Sequence, residues 1–283
     1  MTVKIIVDST CDIVPANQNK FSVVPLTIRF GDTEYADGVE LTKEQFYEKL
    51  VESDVLPTTS QATPGAFLPV FEEVTAAGDS AVVIALSSKL SGTYESALTA
   101  AEGFDNIFVV DSESAAIGSG ILAEYAWNLT QENLTAAEIF EKVDAKKHDI
   151  QVIAMLDTLE YLKRGGRISK TAALAGGLLN IKPVITLVSG AIEVLGKARG
   201  SKQGNNLLVK EIEKSGGVNF DLPVLLGYTG LDDVLLQKYI KDSARLWEDS
   251  VEELRYLPIS GVIGTHTGPG AIAVAYFSIG NNE

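Results

Sequence analysis

One of the two histidines in this 283-residue chain lies in a segment rich in turn-forming residues. His266 is followed by Thr267 and then by the triplet Gly268–Gly270. Glycine permits positive φ and proline fixes φ, so the chain is expected to turn sharply here. An imidazole beside such a turn can point at a ligand with little backbone in its way. The alternative is a turn whose histidine faces water.

A serine–glycine pair is a second place where chemistry is possible. Ser91 and Gly92 follow the apolar run Ala81–Leu86 and precede a helical pattern. A hydroxyl beside bare backbone N–H groups at a strand-to-helix turn forms a cradle for an oxyanion or a carboxylate. The nucleophile elbow of a serine hydrolase requires glycine two positions before the serine, where this chain has Lys89. Ser91 is therefore interpreted as a binding residue and not as a nucleophile.

Hydroxyl-rich residues precede a predicted helix that begins at Pro64. The segment Thr58–Gln61 brings Thr59 and free N–H groups to the positive end of that helix, which suits an anion; ordinary capping is the default alternative. Asp8–Asp12 follows the first predicted strand, where parallel sheets bind ligands, but capping residues are common there and a structural role is expected. Cys11 has no neighbour in sequence that would lower the pKa of its thiol, so a packed thiol is predicted.

Two basic segments stand out in an otherwise acidic chain. The first holds Lys163, Arg164 and Arg167 around Gly165, and it departs from a P-loop because lysine occupies the position of the second glycine. The second is Gly196–Lys202. Concentrated positive charge can mark a docking surface or a place for an anionic product, although a solvated hairpin end explains the second segment equally simply.

Composition narrows the function classes. Hydrophobic residues make up 46% of the chain, charged residues 22%, and the net charge is −15. Nucleic-acid binding depends on clustered lysine and arginine, so a nucleic-acid partner is not expected, nor is adsorption to an anionic membrane. No apolar run approaches about 18 residues, so no transmembrane segment is expected. The single cysteine excludes an internal disulfide, the N-terminal residues read as a strand and not as a signal peptide, and a cytoplasmic location is predicted.

Apolar, β-branched runs alternate with helical patterns in the first half of the chain. This alternation predicts a mostly parallel sheet covered by helices. Thr42 is a candidate N-cap, and Thr135 with Glu138 has the spacing of a capping box. The predicted strands are Val3–Val7, Ala81–Leu86, Ile107–Val110 and Val152–Leu156, and the predicted helices are Lys43–Glu52, Pro64–Ala77, Gly92–Gly103, Ala116–Leu129 and Ala136–Lys146.

The second half has a different pattern. Apolar runs at Val184–Val188 and Ala191–Leu195 flank a Ser-Gly pair and predict a hairpin. We therefore expect an α/β protein of two domains: a mostly parallel N-terminal α/β domain at 1–160 and a C-terminal α+β domain at 161–283. The further predicted elements are strands at Val224–Tyr228, Glu253–Pro258 and Ala271–Ser278 and a helix at Asp232–Leu246.

Seven short motifs follow one another along nearly the whole chain: Asp8–Thr10, Thr59–Gln61, Ser91–Tyr94, Leu162–Ile168, Ile181–Pro183, Lys197–Gly200 and His266–Gly270. Each is short, but the ordered set is specific. On this set the chain resembles the DegV family.

The resemblance implies a two-domain protein that binds one long-chain fatty acid between its domains. The carboxylate would be held by Thr59, Ser91 and His266, with the Gly92 N–H as a helper. The acyl tail, palmitate or another C14–C18 chain, would lie in an apolar tunnel. The resemblance also implies that the bound fatty acid is presented to a separate fatty acid kinase, and that Arg199 supports that step. The protein would then serve lipid transport or fatty acid metabolism, without catalysis, metal or cofactor of its own.

One departure and two alternatives accompany this interpretation. Ala273 stands where many relatives carry glycine, and we expect it to affect tail packing more than carboxylate binding. An enzyme, either a hydrolase using Ser91 and His266 or a small-molecule kinase using the glycines at 165 and 166, is a competing hypothesis. A protein-interaction module based on Lys163, Arg164 and Arg167 is a third, and it is compatible with the first.

Overall fold

The computed structural model describes residues 2–168, 181–247 and 254–280. The strands are β1 Val3–Asp8, β2 Phe21–Val24, β3 Thr27–Phe30, β4 Thr33–Ala36, β5 Thr58–Ser60, β6 Ser80–Ala85, β7 Ile107–Asp111, β8 Ile150–Met155, β9 Ile181–Val188, β10 Ala191–Arg199, β11 Leu225–Tyr228, β12 Tyr256–Pro258 and β13 Ile272–Phe277. The helices are α1 Lys43–Glu52, α2 Pro64–Ala76, α3 Thr93–Ala101, α4 Ile117–Leu129, α5 Ala136–Lys146, α6 Glu160–Arg164, α7 Gly200–Lys214, α8 Val234–Asp242 and α9 Gly261–Thr267.

The first sheet has the order β2-β1-β6-β7, and all its pairs are parallel. Successive side chains of a strand point to opposite faces. Accordingly, Ile6 and Val83 pack with residues of α2 and α3, whereas Ile5 and Val82 pack with residues of α4 and α5. Helices therefore cover both faces, as the alternation of strands and helices predicts.

The second sheet has the order β10-β9-β8-β13-β11-β12 and is mostly antiparallel, with a parallel pair at β11 and β12. The placement of 152–156 with the parallel strands is wrong, because β8 pairs antiparallel with β9 and β13. An apolar run identifies a buried strand but not its partners. A domain boundary near residue 160 stays a prediction, and Glu253 of the predicted strand at 253–258 lies outside the described residues.

The hairpin of β9 and β10 turns through Ser189 and Gly190, whose φ angles are 46° and 80°. Two consecutive positive φ values match the twist of the flanking strands, which favours this two-residue turn. Both predicted N-terminal caps are confirmed, since Thr42 with Gln45 and Thr135 with Glu138 form reciprocal capping boxes. Among the described helices, none has the length and apolar character needed to cross a membrane.

A third sheet, which the sequence analysis did not anticipate, has the order β4-β3-β5 and is antiparallel. Its strands are three or four residues long, so their pattern is too short to distinguish from loops. Strand β5 contains Thr59, which lies opposite Ile28 of β3. The structure places Thr58–Ser60 of the segment expected near the start of α2 in strand β5, and α2 begins at Pro64.

The predicted turn at Gly268–Gly270 is confirmed, because Gly268 and Gly270 have φ angles of 71° and 79°, while His266 itself lies in the last turn of α9. The helix ends at Gly268, whose φ is 71° and whose N–H donates to Gly264 O at 2.8 Å. Glycine weakens an isolated helix, but here it permits close packing. A Cβ on Gly264 would lie 2.6 Å from Phe46 Cε1, and one on Gly261 would lie 2.9 Å from Phe46 Cγ.

Candidate functional site

An apolar cavity of about 110 Å³ lies among the three sheets and α9. Small and aliphatic side chains supply most of its wall, and a few polar residues complete it. The apolar lining residues are Leu26, Leu86, Leu90, Ala115, Ala116, Ile117, Val152, Ala154, Leu156, Leu162, Ile185, Leu187, Ile192, Ile259, Val262, Ile263, Ala271 and Ala273. The polar lining residues are Thr59, Ser60, Gln61, Ser91, Arg167, Thr229, His266 and Thr267.

Thr59 and His266 meet at the wall of this cavity. The Thr59 hydroxyl lies 2.8 Å from His266 Nε2. Strand β5 fixes the threonine through its pairing with β3, and α9 presents the histidine. The two residues that the family resemblance implies as partners of one ligand are therefore neighbours in space.

The imidazole of His266 is held in its neutral form. Burial is the main cause, and the nearby guanidinium of Arg167 adds to it; together they lower the pKa of His266 to about 4. Nδ1 is buried without a hydrogen-bond partner among the described residues. Gly165 packs against this ring atom, and a Cβ at position 165 would overlap Nδ1. The ring is thus confined by packing on one side and hydrogen-bonded on the other.

Ser91 and Gly92 form the N-terminal end of α3. Ser91 Oγ accepts from the Thr93 N–H at 3.3 Å and lies 2.9 Å from Thr93 Oγ1. Ser91 lines the cavity, whereas Gly92 is not among the lining residues. A Cβ at position 92 would overlap the side chain of Gln61, which donates to Gly92 O at 3.2 Å and to Ser96 Oγ at 2.8 Å. Gly92 therefore lets the segment after β5 approach α3 closely.

Arg167 is a site residue that the sequence analysis assigned to a different place. Instead of lying on an exposed basic surface, it lines the cavity, where its side chain donates to Leu90 O at 3.0 Å and to Gly165 O at 2.6 Å. Among the described lining residues it is the only one with a permanent charge. The clue in the sequence is the glycine at position 166, because glycine permits the φ of 72° with which the chain turns before Arg167.

Three other residues of the two basic segments are exposed to solvent: Lys163, Arg164 and Arg199. Lys163 and Arg164 are exposed and pair with Glu160 at 3.7 and 2.9 Å. Arg199 is exposed at the end of β10, where its N–H donates to Gln203 Oε1 at 2.9 Å, and it does not line the cavity. Arg199 is therefore not part of the cavity wall that contains Thr59, Ser91 and His266.

The polar residues at the end of β1 and just after it make their hydrogen bonds within the protein. The buried carboxylate of Asp8 accepts from the Leu86 N–H at 2.6 Å and from the Thr10 N–H at 2.9 Å. Cys11 is buried, and burial together with the charge of Asp8 raises the pKa of its thiol. Within the described ranges no group of three metal-ligating side chains occurs.

One protein family matches this chain over nearly its whole length. A family model described as an uncharacterised protein of the DegV family matches residues 2–278. The chain belongs to the DegV family. A DegV domain-containing protein of Caldanaerobacter subterraneus subsp. tengcongensis is 36% identical over 280 residues, which cover 97% of this chain and 98% of that protein.

Two solved structures, one of them of a DegV family protein, resemble the chain over nearly its whole length. One, from Thermus thermophilus and described by its fatty acid binding, has 31% identity and a TM-score of 0.87, covering 99% of this chain and 100% of that one. The other, a stearic acid-binding protein from Eubacterium ventriosum, has 28% identity and a TM-score of 0.86, covering 98% of each chain. The predicted family and the predicted α/β fold class are confirmed.

Within the part of the chain that the structure describes, no hydrogen bond joins Ser91 to His266. Nε2 of His266 is engaged by Thr59, while Ser91 Oγ is engaged by Thr93. A nucleophile also needs a base that a third group orients, and Nδ1 of His266 has no partner among the described residues. The lowered pKa of His266 further weakens it as a base at neutral pH.

Proposed function

We propose that this DegV protein binds one long-chain fatty acid in the apolar cavity. The carboxylate would be held by Thr59, Ser91 and His266, with the Gly92 N–H as a helper. The observation that carries the proposal is the Thr59–His266 hydrogen bond of 2.8 Å at the wall of an otherwise aliphatic cavity. The two similar solved structures, which are described by their fatty acid binding, support the same ligand class.

Thr59, Ser91 and His266 form a polar group that can hold a carboxylate through a short chain of hydrogen bonds. A neutral His266 with its proton on Nε2 donates to Thr59 Oγ1, which frees the threonine hydroxyl proton for the ligand. With Thr93 Oγ1 as the donor in their 2.9 Å contact, Ser91 Oγ only accepts from Thr93 and keeps its own proton for the carboxylate. Arg167 supplies positive charge nearby. A partly buried carboxylate requires such donors, because an unpaired buried charge is costly.

The acyl tail would supply most of the affinity. At about 0.8 kcal/mol per buried CH₂, a C16 tail contributes roughly 10 kcal/mol before the cost of ordering it. The polar group then fixes which end of the ligand enters first. One methylene is worth about 0.8 kcal/mol, or about four-fold in affinity, so several lengths between C14 and C18 should bind with graded affinity.

We further propose that the protein presents its ligand to a fatty acid kinase and has no catalysis of its own. The exposed Arg199 would support the kinase step without touching the carboxylate, since it lies outside the cavity lining. Lys163 and Arg164 offer an exposed basic surface for docking. The expected context is cytoplasmic lipid transport or fatty acid metabolism.

A titration of delipidated protein tests the ligand assignment. Palmitate should bind, and palmitate methyl ester should bind at least about ten-fold more weakly, because it cannot accept charge-assisted hydrogen bonds. Equal affinities for acid and ester would show that the polar group does not read the carboxylate. For the kinase step, Arg199→Ala should leave palmitate affinity unchanged and slow phosphorylation of the bound acid by a cognate kinase, with Arg245→Ala as an exposed control.

The enzyme hypothesis makes an opposite prediction. If the chain were an acyl hydrolase, purified protein would turn over an acyl ester, and Ser91→Ala would abolish that turnover. We expect no turnover above background, because Ser91 and His266 make their hydrogen bonds to other residues.

A further inference from the structure

An ion pair between the buried Asp12 and the partly exposed Lys43 lies under the segment that leads into α9. Asp12 is 1% exposed, and its Oδ1 accepts from Lys43 Nζ at 2.6 Å and from the Ser260 N–H at 2.9 Å. Lys43 Nζ also donates to Pro258 O at 2.8 Å. The loop after β1, the first residue of α1 and the chain between β12 and α9 therefore meet at one point.

Helix α1 continues this attachment along α9. Tyr47, one turn after Lys43, donates its hydroxyl to Ile259 O at 3.0 Å. The glycine face of α9 then packs on Phe46 and Tyr47, where a Cβ on Gly264 would lie 2.7 Å from the Tyr47 hydroxyl oxygen. Seven residues of helix span only about 10 Å. His266, in the last turn, must therefore follow any displacement of the first turn.

An ion pair is an unusual choice for this position if stability alone is considered. Replacing a buried pair by well-packed apolar residues is often neutral or stabilising, so such pairs are weak evidence for stability. Asp12 and Lys43 instead orient the backbone that precedes α9. Their hydrogen bonds to Ser260 and Pro258 hold these two residues at defined distances and angles.

We infer that Asp12 and Lys43 are positioning residues for the ligand site: they set the start of α9 so that His266 reaches Thr59. The inference rests on the proposed function only for its effect on fatty acid affinity. The hydrogen bond between Thr59 and His266 can be observed in the ligand-free protein.

The test uses Lys43→Met with two matched variants. Lys49→Met removes a cation from the same helix, where Lys49 Nζ lies over the rings of Phe30 and Tyr35 at 5.6 and 5.7 Å. Lys43→Arg keeps the charge and the donors. The imidazole NMR signals are simple to assign, because the chain has two histidines and His148→Gln removes the other set.

Lys43→Met should shift the His266 ring signals toward those of Thr59→Val and weaken palmitate binding about ten-fold or more. Lys49→Met should leave both unchanged, and Lys43→Arg should restore both at least in part. If Lys43→Met fails to fold, the double variant Asp12→Asn/Lys43→Met replaces it, because it leaves no uncompensated buried charge.

Two results would overturn the inference. One is a folded Lys43→Met or double variant whose His266 signals match those of the parent. The other is an equal change in Lys49→Met, which would indicate a general effect on α1. If the parent protein bound no fatty acid, the proposed function would fail, while the ring signals would still decide the positioning role.

Discussion

The hydroxyl of Thr59 lies 2.8 Å from Nε2 of His266, although 207 positions separate the two residues in the chain. A short antiparallel sheet positions the first, and a seven-residue helix packed through its glycines positions the second. Neither element is strong by itself. Their meeting at the cavity wall is therefore a property of the tertiary fold and a sensitive point for substitution.

Removing the Thr59 hydroxyl should weaken fatty acid binding without unfolding the protein. Thr59→Val keeps the shape of the side chain but loses a donor to a charged group, which is worth about 1.5–3 kcal/mol, or roughly 10- to 150-fold in affinity. Thr59→Ser keeps the hydroxyl and should bind nearly as the parent does. Titration with palmitate measures both, and equal affinities for the valine and serine variants would contradict the assignment.

Gly165 should be required for the place of the His266 ring. Its φ of −71° suits any residue, so Gly165→Ala adds no backbone strain and only drives a methyl group into Nδ1. Palmitate affinity should fall and the His266 ring signals should move. Gly78→Ala is the control: its φ is 71°, the space around it is open and it does not line the cavity, so it should cost about 1 kcal/mol of folding stability. If the control lost more palmitate affinity than Gly165→Ala, the contact between position 165 and His266 Nδ1 would not explain the effect.

Stability should depend on pH in two opposing ways. Burial raises the pKa of Asp37 to about 7, against a donor from Ser9 that lowers it, so the folded state keeps a proton that the unfolded state loses near pH 4. Folding stability from this group therefore falls as pH rises from about 4 to 7. His266, with its pKa lowered to about 4, makes stability rise between about pH 4 and 6.5.

Asp37→Asn should remove the first effect and leave the second. Denaturant unfolding across pH 4 to 7 should then show stability rising more steeply with pH than in the parent. Asp32→Asn removes an exposed carboxyl from the turn between β3 and β4 and serves as the control. A slope in Asp37→Asn equal to that of the parent would mean that Asp37 is not the protonated group.

Ala273 should set the room available to the acyl tail. It is 5% exposed, lines the cavity and lies opposite Ala154 in the neighbouring strand. Ala273→Val should shift preference from C18 toward C14, by about four-fold for each methylene excluded. Ala273→Gly should move preference the other way. Competition between C14 and C18 acids measures the shift, and an unchanged ratio in both variants would place the tail elsewhere.

Much of the framework could be predicted from patterns in the sequence. The parallel strands are continuous apolar runs, and the capping residues Thr42 and Thr135 mark where helices start. The partners of β8 could not be predicted, because an apolar run carries no information about pairing. The same holds for β3, β4 and β5, whose short strands are stabilised by neighbours distant in sequence.

The site, too, could be predicted only in part from the sequence. The family resemblance named Thr59 and His266, and the structure brings them together. The sequence did not predict that His266 is helical, because Gly261 and Gly264 disfavour a helix locally. In the structure these glycines allow the helix to pack closely on Phe46, which stabilises it. Arg167 was grouped with exposed arginines because charge alone does not tell which way a loop turns.

The measurement that tests the central claim most directly is native mass spectrometry of the purified protein, followed by denaturing extraction and identification of the lipid. We predict an added mass equal to one C14–C18 fatty acid, reduced or lost in Thr59→Val, Ser91→Ala and His266→Ala. A ligand-free mass that persists after incubation of delipidated protein with palmitate or oleate would contradict the account.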